Sequence, residues 1–305
     1  MAPALTLSAI GEDALVERLT GVLPPMGPAV VEGPGDDCAI VLGASPGEWS
    51  LLKADAVVEG VHFVRGEKMH RVGWKALCRA VSDVAAMGGA PLQALVSVTA
   101  APETSWEALR DLYRGIAKAA RAHGVSVVGG ETTHSDGPLV CSVFLTGRVE
   151  SERCVRRSGG RVGDVVLVTG RLGGSLESGH HLDFKPRLAE ARWLVAHFRP
   201  NAMMDLSDGL SKDAARLARA SGCGMELEAK AIPRRRGLTL EAACSDGEDF
   251  ELLLAVCPRQ VEALLAGWRR AFPRLPLTRI GRLTETARGL QPRAIFNLRG
   301  YDHFQ

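Results

Sequence analysis

Six aspartates carry the first chemical signal in this sequence. Asp36 and Asp37 lie in GPGDDCAIV, Asp55 in LLKADAVVEGVHF, Asp83 in AVSDVAAMGG, and Asp205 and Asp208 in MMDLSDGL. They stand at the ends of apolar runs, most of them beside Gly or Ser. Gathered carboxylates raise one another's pKa unless a cation compensates. Mg²⁺ suits that task, because it takes hard oxygen ligands and keeps positions for water and nucleotide phosphates. A shared metal–phosphate site is therefore one reading. Local readings stay open for each residue: Asp36 or Asp37 as a turn residue, Asp83 paired with Arg79 one helical turn earlier, and Ser207 or Asp208 as a helix N-cap. None of these explains why Asp recurs at run ends in both halves of the chain.

Two Gly-rich segments add to the pattern. Val127–Thr133 reads VVGGETT after an apparent strand, with backbone N–H groups beside two hydroxyls. Gly170–Ser175 reads GRLGGS after another strand, and is expected to open a helix whose N-terminus attracts anions. Neither is a Walker loop or G-x-G-x-x-G, and a plain turn explains either equally well. Arg157, before Ser158-Gly159, is a candidate phosphate clamp. H-E-x-x-H is absent, and the eight His are dispersed, with His62 in VEGVHF the one inside a motif.

The elements that must position these residues follow from periodicity. Short apolar or β-branched runs bounded by Gly, Pro or charge predict strands at 38–42, 49–52, 92–99, 125–128 and 139–146. Helical spacing predicts helices over 71–87 and 105–123. The polar stretch Glu150–Arg161 marks a boundary, dividing the chain into residues 1–150 and 151–305. Beyond it, strands are expected at 165–169, 225–227, 251–256, 278–283 and 293–296, and helices at 186–197, 212–220 and 260–270.

Composition narrows the field. The 305 residues are 46% apolar and 24% charged, ordinary for a globular protein and long enough for two domains. A net charge of +2 with 5% aromatics gives no case for nucleic-acid binding. Seven Cys, an odd number without a C-x-x-C pair, point to reduced thiols in the cytoplasm. The acidic first segment does not resemble a signal peptide, and no apolar run reaches the ~20 residues of a membrane span.

The strings GPGDDCAIV, DAVVEGVHF, GWKALCRAVSDVAAMGG, VVGGETT, RRSGGRVGDVVLVTGRLGGS, MMDLSDGL, SDGEDFELLLAV and GYDHF resemble, in order, those of the thiamine-monophosphate kinase family. That family belongs to the aminoimidazole ribonucleotide synthetase superfamily. The resemblance implies a two-domain α/β (α+β) fold and a homodimer, the N-terminal half supplying a dimer-spanning β-barrel and the C-terminal half closing the cleft. It implies ATP as co-substrate, several Mg²⁺ ions, and thiamine monophosphate as phosphoryl acceptor. Asp37, Asp55, Asp83, Asp205 and Asp208 would hold metal, with Asp55, Asp83 and Asp205 at the reacting centre. Gly130, Glu131, Arg157 and Ser207 would meet ATP, with Tyr113 nearby, and Glu131 would also ligate metal. His62, Glu248 and Tyr301 would contact thiamine phosphate. An acceptor phosphate already largely ionised near neutral pH needs no general base, which agrees with a carboxylate cluster lacking an acid–base dyad.

The sequence departs from the family at three positions. Lys53 and Ala54 replace a hydroxyl pair before Asp55, and Glu131 replaces an Asp. Ala54 has no ligand atom, and Lys53 brings an ammonium that can stand in for one Mg²⁺. The alternatives are a divergent superfamily member with another substrate, or an impaired nucleotide-binding relative.

Overall fold

Period-two alternation shapes the first half of the chain. In Ala90–Ala100 and Val140–Glu150 alternate residues are buried, so one sheet face turns inward and the other outward. The computed structural model describes residues 6–286 and 300–304. Two helices, α1 (Leu7–Ile10) and α2 (Glu12–Gly21), precede β1 (Val30–Glu32), β2 (Ala39–Leu42) and β3 (Glu48–Val58). Then come α3 (Met69–Ala86), β4 (Ala90–Ala100), α4 (Trp106–His123), β5 (Ser126–His134) and β6 (Val140–Glu150). The strands form one sheet of order β1-β2-β3-β6-β4-β5, antiparallel except for the β4–β5 pair.

Helix α3 is the hub. It packs on β3, β6 and β4, against α4, and against β8 and α6 of the second half. From Val72 to Ala86 it is buried on nearly all sides. Its crossing with α4 is close because both helices lack side chains there. A Cβ on Gly73 would lie 1.9 Å from the Leu112 carbonyl oxygen, and one on Gly115 would lie 1.9 Å from that of His70.

The second half holds β7 (Val165–Thr169), α5 (His180–Asp183), α6 (Leu188–His197), β8 (Ala202–Asp205) and α7 (Leu210–Ala220). It continues with β9 (Gly224–Leu227), α8 (Leu240–Ser245), β10 (Leu252–Val256), α9 (Val261–Ala271) and β11 (Leu277–Thr284). Its antiparallel sheet runs β8-β10-β7-β11-β9. Strands β7 and β10 are buried at every residue, which accounts for the unbroken apolar runs VVLVT and LLLAV. The two halves share a core where Ala85 and Ala86 meet Leu167, Leu252 and Leu254. Among the described residues, no helix is long and apolar enough to cross a membrane.

Several elements differ from the sequence expectation. The strand expected at 49–52 continues to Val58 and carries Asp55 within it. The VVGGETT segment is strand throughout, because β5 pairs in parallel with β4 as far as His134. Gly170–Ser175 opens no helix; it is a turn followed only by the four-residue α5. The G-x-S-x-G string Gly43–Gly47 is the hairpin turn between β2 and β3, closed by the Gly43 N–H on the Glu48 carbonyl at 3.0 Å. It is not the strand-to-helix step of a nucleophile elbow. The strand expected at 293–296 lies outside the described residues.

Candidate functional site

Four elements deliver carboxylates to one place. Asp37 stands just before β2, Asp55 lies within β3, Asp83 in the last turn of α3, and Asp205 at the end of β8. One ligand oxygen from each of Asp37, Asp83 and Asp205 lies within 4.8 Å of the others, and all three residues are buried. The Oδ2 of Asp37 is buried with no hydrogen-bond partner. A buried acceptor without a donor is costly unless a cation meets it. The donor set is all carboxylate oxygen, which fits a hard divalent ion.

The surroundings push against charge. Burial, and then the Asp37 charge, lift Asp205 to about 7, although the Ser82 hydroxyl donates to its Oδ2 at 2.5 Å. Burial, with Asp55 and Asp205 adding to it, lifts Asp83 well above the carboxylate range. Burial and then Asp37 raise Asp36 to about 7, against N–H groups of Asp37 and Arg157 that donate to it. Three cations oppose this. Arg157 donates Nη2 and Nε to Asp37 Oδ1 at 2.6 and 3.2 Å. Lys53 Nζ donates to Asp83 Oδ1 at 2.9 Å and lies 3.9 Å from Asp55 Oδ1. Arg79 Nη2 lies 3.8 Å from Asp55 Oδ1. Burial opposes ionisation of Asp55 too, yet Lys53 and then Arg79 hold its pKa below the usual value.

A hollow of about 420 Å³ opens beside Asp55, with His62, Arg79, Ser142, Phe144 and His303 on its walls. A second hollow of about 40 Å³ shares His62, Arg79 and His303, and adds Ser207, Asp208, Glu248 and Tyr301. His62 Nδ1 accepts the Val58 N–H at 3.1 Å, and burial, then Arg79, depress its pKa to about 3. Glu248 adopts φ +54°, a strained angle for a non-glycine residue. Its carboxylate is gripped by Lys75 and by Arg79 at 3.3 Å, and lies 3.1 Å from His181 Nδ1. Burial alone would raise it, but His181, Lys75 and Arg79 bring it to about 2. Lys75 is wholly buried and also donates to the His62 carbonyl at 2.6 Å.

The rim joins both ends of the described chain. Lys212 Nζ donates to Glu12 Oε2 at 2.9 Å and to the Tyr301 carbonyl at 2.6 Å, and lies 3.1 Å from Asp208. The Glu12 N–H meets Asp302 Oδ2 at 3.3 Å. The Tyr301 and His303 rings meet edge to face 4.9 Å apart, and His303 lies 5.4 Å from the His62 ring.

Not every expected residue joins the cluster. Asp208 is held by Arg216 and Lys212 outside the triad. It does not cap the following helix, whose N-cap is Gly209. Arg79 reaches Asp55 and Glu248 rather than pairing with Asp83. Tyr113 is half-exposed on α4, and Glu131 is exposed on β5, bonded to the Thr132 N–H at 3.0 Å. Gly130 sits in β5 with its backbone against Val96. The N–H groups of Gly173 and Gly174 are taken by Asp249 and Asp246, so that loop offers no free anion cradle there.

Sequence reading missed Lys75, His181 and Asp213, and gave Arg79 only as a partner of Asp83. Asp213 accepts the N–H groups of Ser207 and Asp208 at 3.0 and 2.9 Å and so shapes the DLSDG loop. The signal for Lys75 and Arg79 was present: with Asp83 they recur every four residues along one helix face.

Residues 35–149 match the family described as AIR synthase related protein, N-terminal domain. Residues 161–289 match its C-terminal domain. The thiamine-monophosphate kinase of Rhodopirellula baltica is 36% identical over 274 residues, 84% of each chain. That of Aquifex aeolicus is 35% identical, over 82% of this chain and 86% of its own. The solved structure of AaThiL complexed with AMPPCP and TMP superposes with a TM-score of 0.83 at 30% identity, covering 98% of this chain and 99% of that one. Likeness on this scale, running through both halves of the chain, means that the chain belongs to the thiamine-monophosphate kinase family.

Proposed function

We propose that this protein transfers the γ-phosphoryl of ATP to the phosphate of thiamine monophosphate, releasing ADP and thiamine diphosphate. The observation that carries the reading is the convergence of Asp37, Asp83 and Asp205, from both halves, with a buried acceptor on Asp37 left open. Relatives of the same family are thiamine-monophosphate kinases, and one was solved with AMPPCP and TMP.

The acidic triad would hold Mg²⁺, which supplies charge neutralisation and phosphate orientation when bound. Asp55 and Asp208 flank it. Arg157, held by Asp37, is placed to meet nucleotide phosphate. Arg79 lines both hollows and has a buried Nε without a partner, a donor suited to the acceptor phosphate. Glu248 stays ionised, and with the Tyr301 and His303 rings gives a wall that suits a cationic thiazolium. His62, neutral above acid pH, packs beside it. Ser207 offers a hydroxyl at the same rim. No side chain here is set up as a general base, and an ionised acceptor phosphate requires none.

Gly130, Glu131 and Tyr113 fit this reading through a second copy of the chain. Strand β5 is an edge strand exposed at all nine residues. The outward face of the first sheet shows Leu52, Leu95, Val128 and Phe144, with Leu95 opposite Phe144. Pairing two such sheets would close a barrel and bring β5 of each copy against the other, so the homodimer belongs to the proposal. The division at residues 150/151 does too, as does a reducing cytoplasm, which suits seven free thiols.

Purified protein incubated with ATP, Mg²⁺ and thiamine monophosphate should yield thiamine diphosphate and ADP on chromatography, and none with chelator present. Failure to form thiamine diphosphate while ATP and Mg²⁺ bind normally would overturn the substrate assignment.

A further inference from the structure

We propose that Lys53 is a built-in cation: its ammonium fills the Asp55–Asp83 side of the acidic cluster, leaving a divalent ion only the Asp37–Asp83–Asp205 side. The inference rests on the metal-dependent reading above and concerns which cations this particular chain can take.

Strand geometry puts Lys53 there. Residues two apart on β3 share a face, so Lys53 and Asp55 project together with the buried Leu51 and Val57. Asp83 meets them from α3. The ammonium sits 2.9 Å from one Asp83 oxygen and 3.9 Å from one Asp55 oxygen. Magnesium demands oxygens at about 2.0–2.1 Å in a near-octahedral shell. An ion bridging these same two carboxylates would be pressed against the ammonium, with strong mutual repulsion. The two cations exclude each other.

The charge pattern agrees. Asp37, Asp55, Asp83 and Asp205 face three fixed cations, Lys53, Arg79 and Arg157, each within 4 Å of one of the carboxylates. The protein alone therefore presents little net negative charge, which suits one divalent ion better than several. The triad stands differently. Asp37 is 1% exposed, and its Oδ2 has no donor, so an acceptor remains open on that side. Asp83 thus belongs to both halves of the cluster, gripping the permanent cation and helping to bound the exchangeable one.

Mn²⁺, which occupies the same oxygen sites as Mg²⁺, locates the ions. Full-length protein is crystallised with Mn²⁺ and a non-hydrolysable ATP analogue, and bound ions are also counted in solution by electron paramagnetic resonance. Wild type should show anomalous density within the Asp37–Asp83–Asp205 triad and none between Asp55 and Asp83. Lys53→Ala should bind one more Mn²⁺ than wild type and melt at a temperature that rises with Mn²⁺. Lys53→Arg should keep the wild-type count. Density between Asp55 and Asp83 in wild type overturns the inference while leaving the kinase reading intact, and so does an unchanged count in folded Lys53→Ala. Mn²⁺ absent from both places would sink the inference and the metal-dependent reading together. If Lys53→Ala does not fold, the wild-type density decides alone.

Discussion

Asp205 illustrates how far a buried carboxylate departs from its behaviour in water. Burial and the Asp37 charge hold its pKa near 7, so near neutral pH it is only partly ionised until a cation arrives. Asp205→Asn should therefore keep the Ser82 contact and the fold. Its melting temperature without divalent ions should equal or exceed that of wild type, while turnover falls by at least about 100-fold, beyond what an outer-shell partner contributes. Retained turnover would remove Asp205 from the site. His62 gives a pH prediction. Its pKa drops from 6.5 in the unfolded chain to about 3 in the fold, so the unfolded chain binds more protons across that window. The stability it contributes is complete above pH 6.5 and is lost as pH falls toward 3, a loss of a few kcal/mol at its fullest. Thermal melts between pH 4 and 7.5 should slope downward with acid, and His62→Gln should flatten that slope; an equal slope in both proteins refutes the assignment. At this scale the sequence was informative about the aspartates, because DD, ADA, SDV and DLSDG carry them at run ends. It was silent on Lys75 and His181, whose meaning comes only from the third partner, Glu248, lying 173 residues from Lys75.

Helix α3 does most of the positioning at the level of elements. Lys75, Arg79 and Asp83 descend one side of it toward Glu248, the hollows and the acidic cluster, while Gly73 lets α4 press close on another. Gly115→Ala places a methyl group where the His70 carbonyl stands. The expected cost is about 1–3 kcal/mol, a fall in melting temperature of roughly 2–4 °C per kcal/mol for a chain of this order. Activity should fall with it as α3 is displaced. Calorimetry beside kinetics tests this, and an unshifted transition would show that the crossing yields freely. Helix 71–87 was legible from its apolar spacing, and so were the buried strands β7 and β10. The reach of β3 and β5 was not, because Lys53, Asp55 and the glycines of VVGGETT have poor strand propensity and are held extended by cross-strand pairing. Gly170–Ser175 looked like an anion loop, but Asp246 and Asp249, more than seventy residues away in sequence, take its N–H groups.

At the scale of the whole molecule, the first sheet has an apolar face that no helix among the described residues covers. Phe144→Lys sets a charge in the middle of that face, opposite Leu95 and Ala54. Wild type should sediment as a dimer and Phe144→Lys as a monomer with intact secondary structure. A monomeric wild type would remove the shared barrel and, with it, the role given to Glu131 and Tyr113. Outward alternation in 92–99 and 139–146 could be read from the sequence, whereas the edge position of β5 depends on strand order, which no local pattern encodes. The clasp at Lys212 ties the start of α2 to the Tyr301 segment. Glu12 and Asp302, separated by 290 positions, are in contact, so the wall bearing Tyr301 and His303 does not stand alone. Releasing Lys212 from either segment would therefore loosen the Tyr301–His303 wall and the Glu12 end of α2 together.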